Sequence, residues 1–286
     1  MSKNILVISK TTGFDSIGYE KFTQLSSDKR EDLEREHKNH AMACSKLNSL
    51  LDTYMESEKF SIYYNCPIDI TPDLVISLGG DGTFLRAAQT YPDSYLLGIN
   101  SDVDSDIKRG SIGALTSMNA NQIEEKLPDL LENWSSLEII NTEEWPVLSV
   151  ILNGEILKPI AINEVFIGAK LSQDTCEFRL TADNESDLFN SSGVIISTGM
   201  GSNAWYRNAG GTPFSNDLQA MGVIVREPNL KRHPSFTNKV IPMNKGLYVY
   251  PEREGYKLYF DGRERVDLSD DSIEIVSNKS IKVVRV

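Results

Sequence analysis

The stretch Leu74-Val-Ile-Ser-Leu-Gly-Gly-Asp-Gly-Thr-Phe-Leu-Arg-Ala-Ala88 decides how the chain is read. An apolar run at 74–78, short and bounded by polar residues, predicts a buried strand. It enters Gly79, Gly80, Asp81 and Gly82, and a helix is expected from about Thr83 to Thr90. Glycines permit positive φ and close backbone approach, and the first turn of a helix presents N–H groups without intrahelical partners. Together they form an anion site for which phosphate is the usual guest. The turn is neither a Walker A loop nor a G-x-G-x-x-G fingerprint. As a purely structural residue Asp81 would close an Asx turn. A carboxylate beside a phosphate cradle is repelled by it, however, unless a metal or a reacting proton makes use of it.

Outward from this turn the N-terminal part alternates strands with helices. Strands are predicted at 4–9, 60–64 and 95–99, and one long helix from about Asp28 to Glu56, where Leu33, His40, Ala43, Leu47, Leu50, Leu51 and Tyr54 recur at helical spacing. That alternation predicts a parallel sheet with crossover helices. A further helix is expected near 120–133, after a change of texture at about Met118. Beyond it the sequence reads as strands and turns. Asn153-Gly154 and Asp261-Gly262 are type I′ hairpin signals, and the segment 273–286 (IEIV-SNKS-IKVVRV) reads as a closing hairpin.

Two further motifs carry chemistry. Ser192-Gly-Val-Ile-Ile-Ser-Thr-Gly-Met-Gly-Ser-Asn-Ala-Trp-Tyr-Arg-Asn-Ala-Gly-Gly211 repeats the strand–glycine–helix pattern, with a short helix expected at 203–209. Its alternative reading is a sharp corner within a β domain. In Ala161-Ile-Asn-Glu-Val-Phe-Ile-Gly168, neighbouring Asn163 and Glu164 on one strand face opposite sides, so one of them points inward and needs partners. Amides suit a purine edge, and carboxylates accept from ribose hydroxyls.

Composition narrows the field. Of 286 residues, 40% are hydrophobic and 24% charged, close to the globular norm, and the length suggests two domains. A formal net charge of −12 argues against nucleic acid as a partner. No apolar run approaches the ~20 residues of a membrane helix. Cys44, Cys66 and Cys176 form no C-x-x-C pair and read as idle thiols of a reducing compartment. His37 and His40, at i and i+3 with Glu34 and Glu36 nearby, could share a metal, but on so charged a helix they read as a solvated face.

In this order, the GGDGT turn, the Asn-Glu pair and the TGxGS-type turn resemble the NAD kinase family. Lys10-Thr-Thr12, Gly98-Ile-Asn100, SSGVIISTGMGSNAW and Val225-Arg-Glu-Pro228 are similar to its mitochondrial-type branch. GGDGT alone is shared with diacylglycerol-, sphingosine- and phosphofructo-type kinases. The resemblance implies a Rossmann-like α/β domain (1–118), then a mainly-β dinucleotide-binding domain (119–286), with the active site between them. The family often returns its last element to the first domain, so the boundary need not be a single cut. The implied reaction moves a phosphoryl group from ATP, sometimes from polyphosphate, to the adenosine-ribose 2′-hydroxyl of NAD or NADH, with Mg²⁺ or another divalent cation. By the same resemblance Gly79, Gly80, Gly82 and Thr83 hold donor phosphates and Asp81 is catalytic. Asn163, Glu164, Thr198, Gly199, Gly201, Ser202, Asn203, Ala204, Trp205 and Asn208 bind the dinucleotide. The chain departs from most members at Ser192, where they have Asp, at Asn203-Ala204-Trp205, where they have Thr-Ala-Tyr, and at Asn208, where they have Ser.

A homodimer is implied, and a cytoplasmic location is expected because the first strand begins by Asn4. Two anionic substrates on a chain of charge −12 require local amides, a metal and local cations. The candidates are Lys10, Arg86, Lys108, Arg109 and Arg207. A lipid kinase built on the GGDGT turn and a non-catalytic nucleotide sensor are the competing readings.

Overall fold

The computed structural model describes residues 3–56, 60–65, 69, 71–103, 110–134, 141–171, 174–269 and 271–286. Two compact units are formed: Met1–Glu144 with Ile281–Val286, and Trp145–Ser280. The change of texture at Met118 is therefore not where the first unit stops. The helix that follows buries Ile123, Leu127, Leu130, Leu131 and Trp134 in the same core as the parallel strands.

The first unit runs β1 (Lys3–Ser9), α1 (Gly13–Ile17), α2 (Tyr19–Thr23), α3 (Ser27–Glu56), β2 (Phe60–Tyr64), β3 (Leu74–Gly79), α4 (Asp81–Thr90), β4 (Tyr95–Asn100), β5 (Met118–Asn119) and α5 (Ile123–Trp134). The strands β2, β1, β3 and β4 lie side by side and all parallel, with β5 also parallel to β4. Continuous apolar runs suit such strands because helices cover both faces; every residue of β3 is buried. The long helix α3 buries Leu33, His40, Ala43, Leu47, Leu51 and Tyr54 of the expected stripe, with Leu50 only partly buried. The short helices α1 and α2 are too brief to show periodicity in sequence.

The expected solvated face at His37 and His40 is not what forms. His40 is buried, within 2.9 Å of the Ser9 hydroxyl and 2.8 Å of the Ser101 hydroxyl. Burial, then the charge of Lys10, hold its imidazole below its ordinary pKa. His37 meets Thr12 at 3.0 Å. This face of α3 grips the ends of the strands, because a polar stripe beside the apolar one finds hydroxyl partners there.

The second unit contains β6 (Thr142–Leu152, whose first residues lie in the first unit), β7 (Glu155–Ala161), β8 (Glu164–Ala169), β9 (Cys176–Ala182), β10 (Glu185–Ser191), β11 (Gly193–Ser197), α6 (Trp205–Asn208), β12 (Ala220–Arg226), β13 (Asn238–Pro242), β14 (Leu247–Pro251), β15 (Tyr256–Phe260), β16 (Arg263–Leu268) and most of β17 (Ile273–Val284). One antiparallel sheet has the order β13-β12-β11-β8-β15-β16. Its inward residues, such as Val165, Ile167, Val194, Ile196, Val223 and Leu258, share a core with Phe178, Leu180, Phe189, Leu247 and Ile275 from β9, β10, β14 and β17. Alternation along β9 (Cys176, Phe178, Leu180 and Ala182 inward) shows the half-buried period of two.

Both predicted hairpin turns form, with Asn153 and Gly154 at φ 50° and 85°, and Asp261 and Gly262 at 48° and 73°. Positive φ at both central residues is the I′ signature. Asp183-Asn184 makes the same turn without glycine, at 49° and 67°. The closing hairpin does not form. Residues 277–280 stay extended within β17, since none of them takes positive φ and each half of the strand has a partner of its own. Leu247 and Val249 of β14 pair with Ile275 and Ile273, while Lys282 and Val283 pair with Tyr95 and Leu96 of β4.

Candidate active site

In the first unit the chain goes from β1 to β2 on one side and returns to β3 on the other. The carboxyl ends of β1 and β3 therefore mark a topological switch point, where open parallel sheets bind ligands. Gly79 and Gly80 lie there, followed at once by α4. Gly80 is the N-cap, and its carbonyl accepts from the N–H groups of Thr83 (2.9 Å) and Phe84 (3.2 Å). Gly79 tolerates no Cβ, which would sit 2.2 Å from Thr83 Oγ1. At Gly80 a Cβ would meet Ser111 Oγ at 2.6 Å, whereas around Gly82 there is open space.

Asp81 opens α4, and both carboxylate oxygens are held. Oδ1 accepts from Leu115 N–H at 2.8 Å and Oδ2 from Ala114 N–H at 3.2 Å. The donating loop turns at Gly113 (φ 63°), where a Cβ would lie 2.6 Å from Asn100 Nδ2. Asn100 itself donates to Ser111 O (2.9 Å) and accepts from Asp102 N–H (3.1 Å). The Gly98-Ile-Asn100 segment thus shapes the loop that orients Asp81. Reading the sequence missed the loop because backbone donors leave no side-chain signature.

In the second unit the TGMGS turn follows β11. Gly201 comes so close to Asn163 that a Cβ would lie 2.0 Å from the Asn163 carbonyl oxygen; at Gly199 it would lie 2.4 Å from Asn216 Cα. Thr198 and Ser202 are fully buried. Thr198 Oγ1 donates to Ile162 O at 2.6 Å and accepts from Gly201 N–H at 3.0 Å. Ser202 Oγ donates to Gly199 O (2.7 Å) and is within 2.9 Å of Phe214 O. These two hydroxyls brace the turn, while Asn203 and Asn208 are exposed and Ala204 and Trp205 half-buried. The 203–209 helix is shortened to α6, preceded by a 3₁₀ turn at Gly201–Asn203.

The Asn-Glu pair sits where β8 begins. Asn163 is half-buried and Glu164, the first residue of the strand, is buried. No hydrogen bond is formed by Glu164 Oε2 among the described residues. Burial, and then the neighbouring Asp261 carboxylate, push the Glu164 pKa up to about 8. A carboxyl group in such surroundings is the neutral acid at pH 7. In sequence Asp261 reads only as a hairpin residue, yet its carboxylate accepts from the N–H groups of Ile162 (3.1 Å), Asn163 (2.7 Å) and Glu164 (3.2 Å).

Trp205 packs against Phe166 (4.8 Å between rings), with the Arg226 guanidinium over both rings at 5.2 and 5.8 Å. Arg226 also pairs with Glu227 (3.1 Å), which accepts from Ser192 Oγ at 2.5 Å. The hydroxyl of Ser192, and then Arg226, hold Glu227 below its ordinary pKa. Ser192 is therefore tied to the Val225-Arg-Glu-Pro228 segment.

Of the candidate cations, Lys10 is paired with Glu36 at 3.0 Å, and Arg86 donates to Ser9 O at 3.3 Å. Both line a cavity of about 430 Å³ beside the end of β1. Arg207 is exposed, and Lys108 and Arg109 lie outside the described residues, as does Cys66. Among the described residues no cluster of three or more His, Cys, Asp or Glu side chains could hold a metal. Among the described residues no helix is long and apolar enough to cross a membrane.

No family model matches the chain. Among curated relatives, an NAD kinase of Clostridium botulinum (strain Eklund 17B / Type B) is 28% identical over 227 residues, covering 74% of this chain and 72% of the relative. A probable NADH kinase of Oryza sativa subsp. japonica is 31% identical over 231 residues, covering 73% and 69%. Among solved structures, an NAD kinase from Archaeoglobus fulgidus in complex with ATP superimposes with a TM-score of 0.69 at 21% identity, covering 99% of this chain and 93% of the other. Yeast NADH kinase complexed with NADH gives 0.73 at 17%, covering 100% and 84%. At these identities the two structures establish the fold, an α/β part followed by a sheet-rich part.

Proposed function

The chain belongs to the NAD kinase family, and from that premise we propose how its residues divide the work of an ATP-dependent phosphotransferase. The reaction transfers a phosphoryl group from ATP to the adenosine-ribose 2′-hydroxyl of NAD or NADH, giving NADP(H). The relatives include both NAD kinases and an NADH kinase, so they carry the family and not a branch of it.

Phosphoryl transfer depends on positioning and charge stabilisation more than on covalent help from the protein. In our reading, Gly79, Gly80, Gly82 and Thr83 receive the donor phosphates, where absent side chains let the anion approach the backbone. Asp81 orients the ribose 2′-hydroxyl and accepts its proton as the 2′-oxygen bonds to the terminal phosphorus and the bond from that phosphorus to the ADP oxygen breaks. In a loose transition state the proton leaves late, so a carboxylate fixed in place is sufficient. A divalent cation, when bound with ATP, neutralises charge on the phosphate oxygens; Asp81 is the carboxylate at the turn that would help to hold it.

In the second unit, Asn163 and Glu164 contact the dinucleotide. Thr198, Gly199, Gly201 and Ser202 shape that contact, and Asn203, Ala204, Trp205 and Asn208 line the site beside it. The observation that carries this reading is Asp81 itself: an acidic side chain at the first position of α4, both oxygens oriented by backbone, in a turn otherwise built to receive anions.

The test mixes the protein with ATP and Mg²⁺ and either NAD, NADH or diacylglycerol. Formation of NADP or NADPH is expected. Phosphatidate formation in place of NADP(H) would turn the reading into that of a lipid kinase, and tight NAD binding without turnover into that of a sensor. Light scattering after size exclusion checks the homodimer that the resemblance implies.

A further inference from the structure

The main chain at residues 162–164 is gripped from two sides. Three successive N–H groups, of Ile162, Asn163 and Glu164, converge on the one carboxylate of Asp261. Asp261 returns its own N–H to Glu164 O at 3.0 Å. From the other side Thr198 donates its hydroxyl to Ile162 O and its N–H to Asn163 O, at 2.6 and 2.9 Å. Converging backbone N–H groups on an ionised acceptor make strong, geometrically demanding bonds. An ordinary hairpin turn requires none of them: the I′ conformation of Asp261-Gly262 is satisfied by its φ angles alone. The side chain therefore has a task outside its own hairpin.

We propose that Asp261 is a positioning residue of the dinucleotide site, holding the backbone of Asn163 and Glu164 so that both side chains are presented to the ligand. This rests on the reading of Asn163 and Glu164 as dinucleotide contacts. A second effect follows from the same placement. In the strand pairing Glu164 lies opposite Ser197 of β11, and Asp261 follows β15 on its other side, so Asp261 is the titratable group facing it from these neighbours. Its charge adds to burial in keeping Glu164 neutral. Glu164 thereby offers a carboxylic O–H as donor as well as a carbonyl acceptor, which suits a ribose hydroxyl in either sense.

The test is Asp261→Asn, which keeps the shape of the side chain but removes its charge and one acceptor. The expected result is a KM for NAD raised about tenfold, the scale of one charge-assisted hydrogen bond, with a smaller fall in kcat and an unchanged KM for ATP. In the wild type the KM for NAD rises above about pH 8, where Glu164 ionises; in Asp261→Asn that rise begins at lower pH. A merely structural role would lower the amount of active protein and leave KM and its pH limb where they are, and that outcome overturns the proposal.

Should Asp261→Asn fail to fold, Asp261→Ser, which keeps a short acceptor at the turn without the charge, is read in the same way. Equilibrium binding of NAD, followed by tryptophan fluorescence, separates the two layers. Weaker binding by Glu164→Ala with unchanged binding by Asp261→Asn sinks the positioning role alone. Unchanged binding by both Glu164→Ala and Asn163→Ala sinks the reading of the pair, and the proposal with it.

Discussion

Asp81 and Leu115, 34 residues apart in sequence, are joined by a 2.8 Å hydrogen bond from the Leu115 N–H to the Asp81 carboxylate. The bond fixes where the acidic group points before any ligand arrives, which is the preorganisation that positioning catalysis requires. Asp81→Asn keeps a carbonyl oxygen for this bond but turns its amide nitrogen to the Ala114 N–H, so it should still fold, with a melting temperature lowered by a few degrees. Its turnover should fall by roughly 10²–10⁴, the usual contribution of a positioned acid or base. Initial rates of NADP formation alongside a thermal melt check both parts, and near-wild-type turnover would remove the assigned role.

The glycines of the two turns should respond differently to one added methyl group. Gly201→Ala places a Cβ 2.0 Å from the Asn163 carbonyl oxygen, so main chain has to move. Overpacking of this kind destabilises by about 1–3 kcal/mol, and the KM for NAD should rise while that for ATP stays put. Gly82→Ala meets open space and has no positive φ, so its denaturant midpoint should match the wild type. Any loss of activity in Gly82→Ala then reports on ligand approach and not on folding. A large drop in the stability of Gly82→Ala would contradict the geometry.

Glu164 makes stability depend on pH in a definite direction. Its pKa is raised from 4.5 to about 8 in the folded protein, so the native state holds this proton more tightly than the unfolded chain. The associated stability is complete below about pH 4.5 and is lost as pH rises toward 8. Glu164→Gln, a neutral isostere, should therefore gain stability relative to wild type between pH 5 and pH 8, with the difference growing across that window. Chemical denaturation at several pH values measures it, and a constant difference would refute the assignment.

Metal dependence should be tied to the nucleotide. Chelation is expected to abolish turnover and Mg²⁺ to restore it. Titration calorimetry should show tight Mg²⁺ binding with ATP and not with Mg²⁺ alone, because Mg²⁺ is commonly held by one or two carboxylates together with substrate phosphates. Tight binding of Mg²⁺ without nucleotide would point to ligands other than Asp81.

How much of this was legible in sequence follows from which interactions are local. The strand at 74–78, the long helix and the Asn153-Gly154 and Asp261-Gly262 turns could be read because apolar periodicity and positive-φ residues lie within a few positions of one another. The GGDGT turn could be read because its glycines are adjacent. What could not be read is non-local backbone chemistry. The N–H groups of Ala114 and Leu115 that hold Asp81, and those of residues 162–164 that converge on Asp261, carry no side-chain signal. Residues 277–280 have the polarity of a turn, but pairing of both flanking halves keeps them extended. Thr198 and Ser202 enter the site through the resemblance, and their hydroxyl bonds to main chain are likewise invisible in sequence.

The return of residues Ile281–Val286 to the first unit has a bearing on how the chain folds as it is made. The strand beside β4 follows the whole second unit in the sequence, and it is secured there by the Ser117 hydroxyl on Val284 O (2.5 Å) and by the Arg285 N–H on Asn141 O (2.8 Å). Residues Trp145–Ser280 are contiguous and leave the ribosome with their whole core in hand. On a vectorially emerging chain the parallel sheet of the first unit, although its other strands come earlier in the sequence, must therefore wait, its edge beside β4 left open until residues 281–284 follow the second unit.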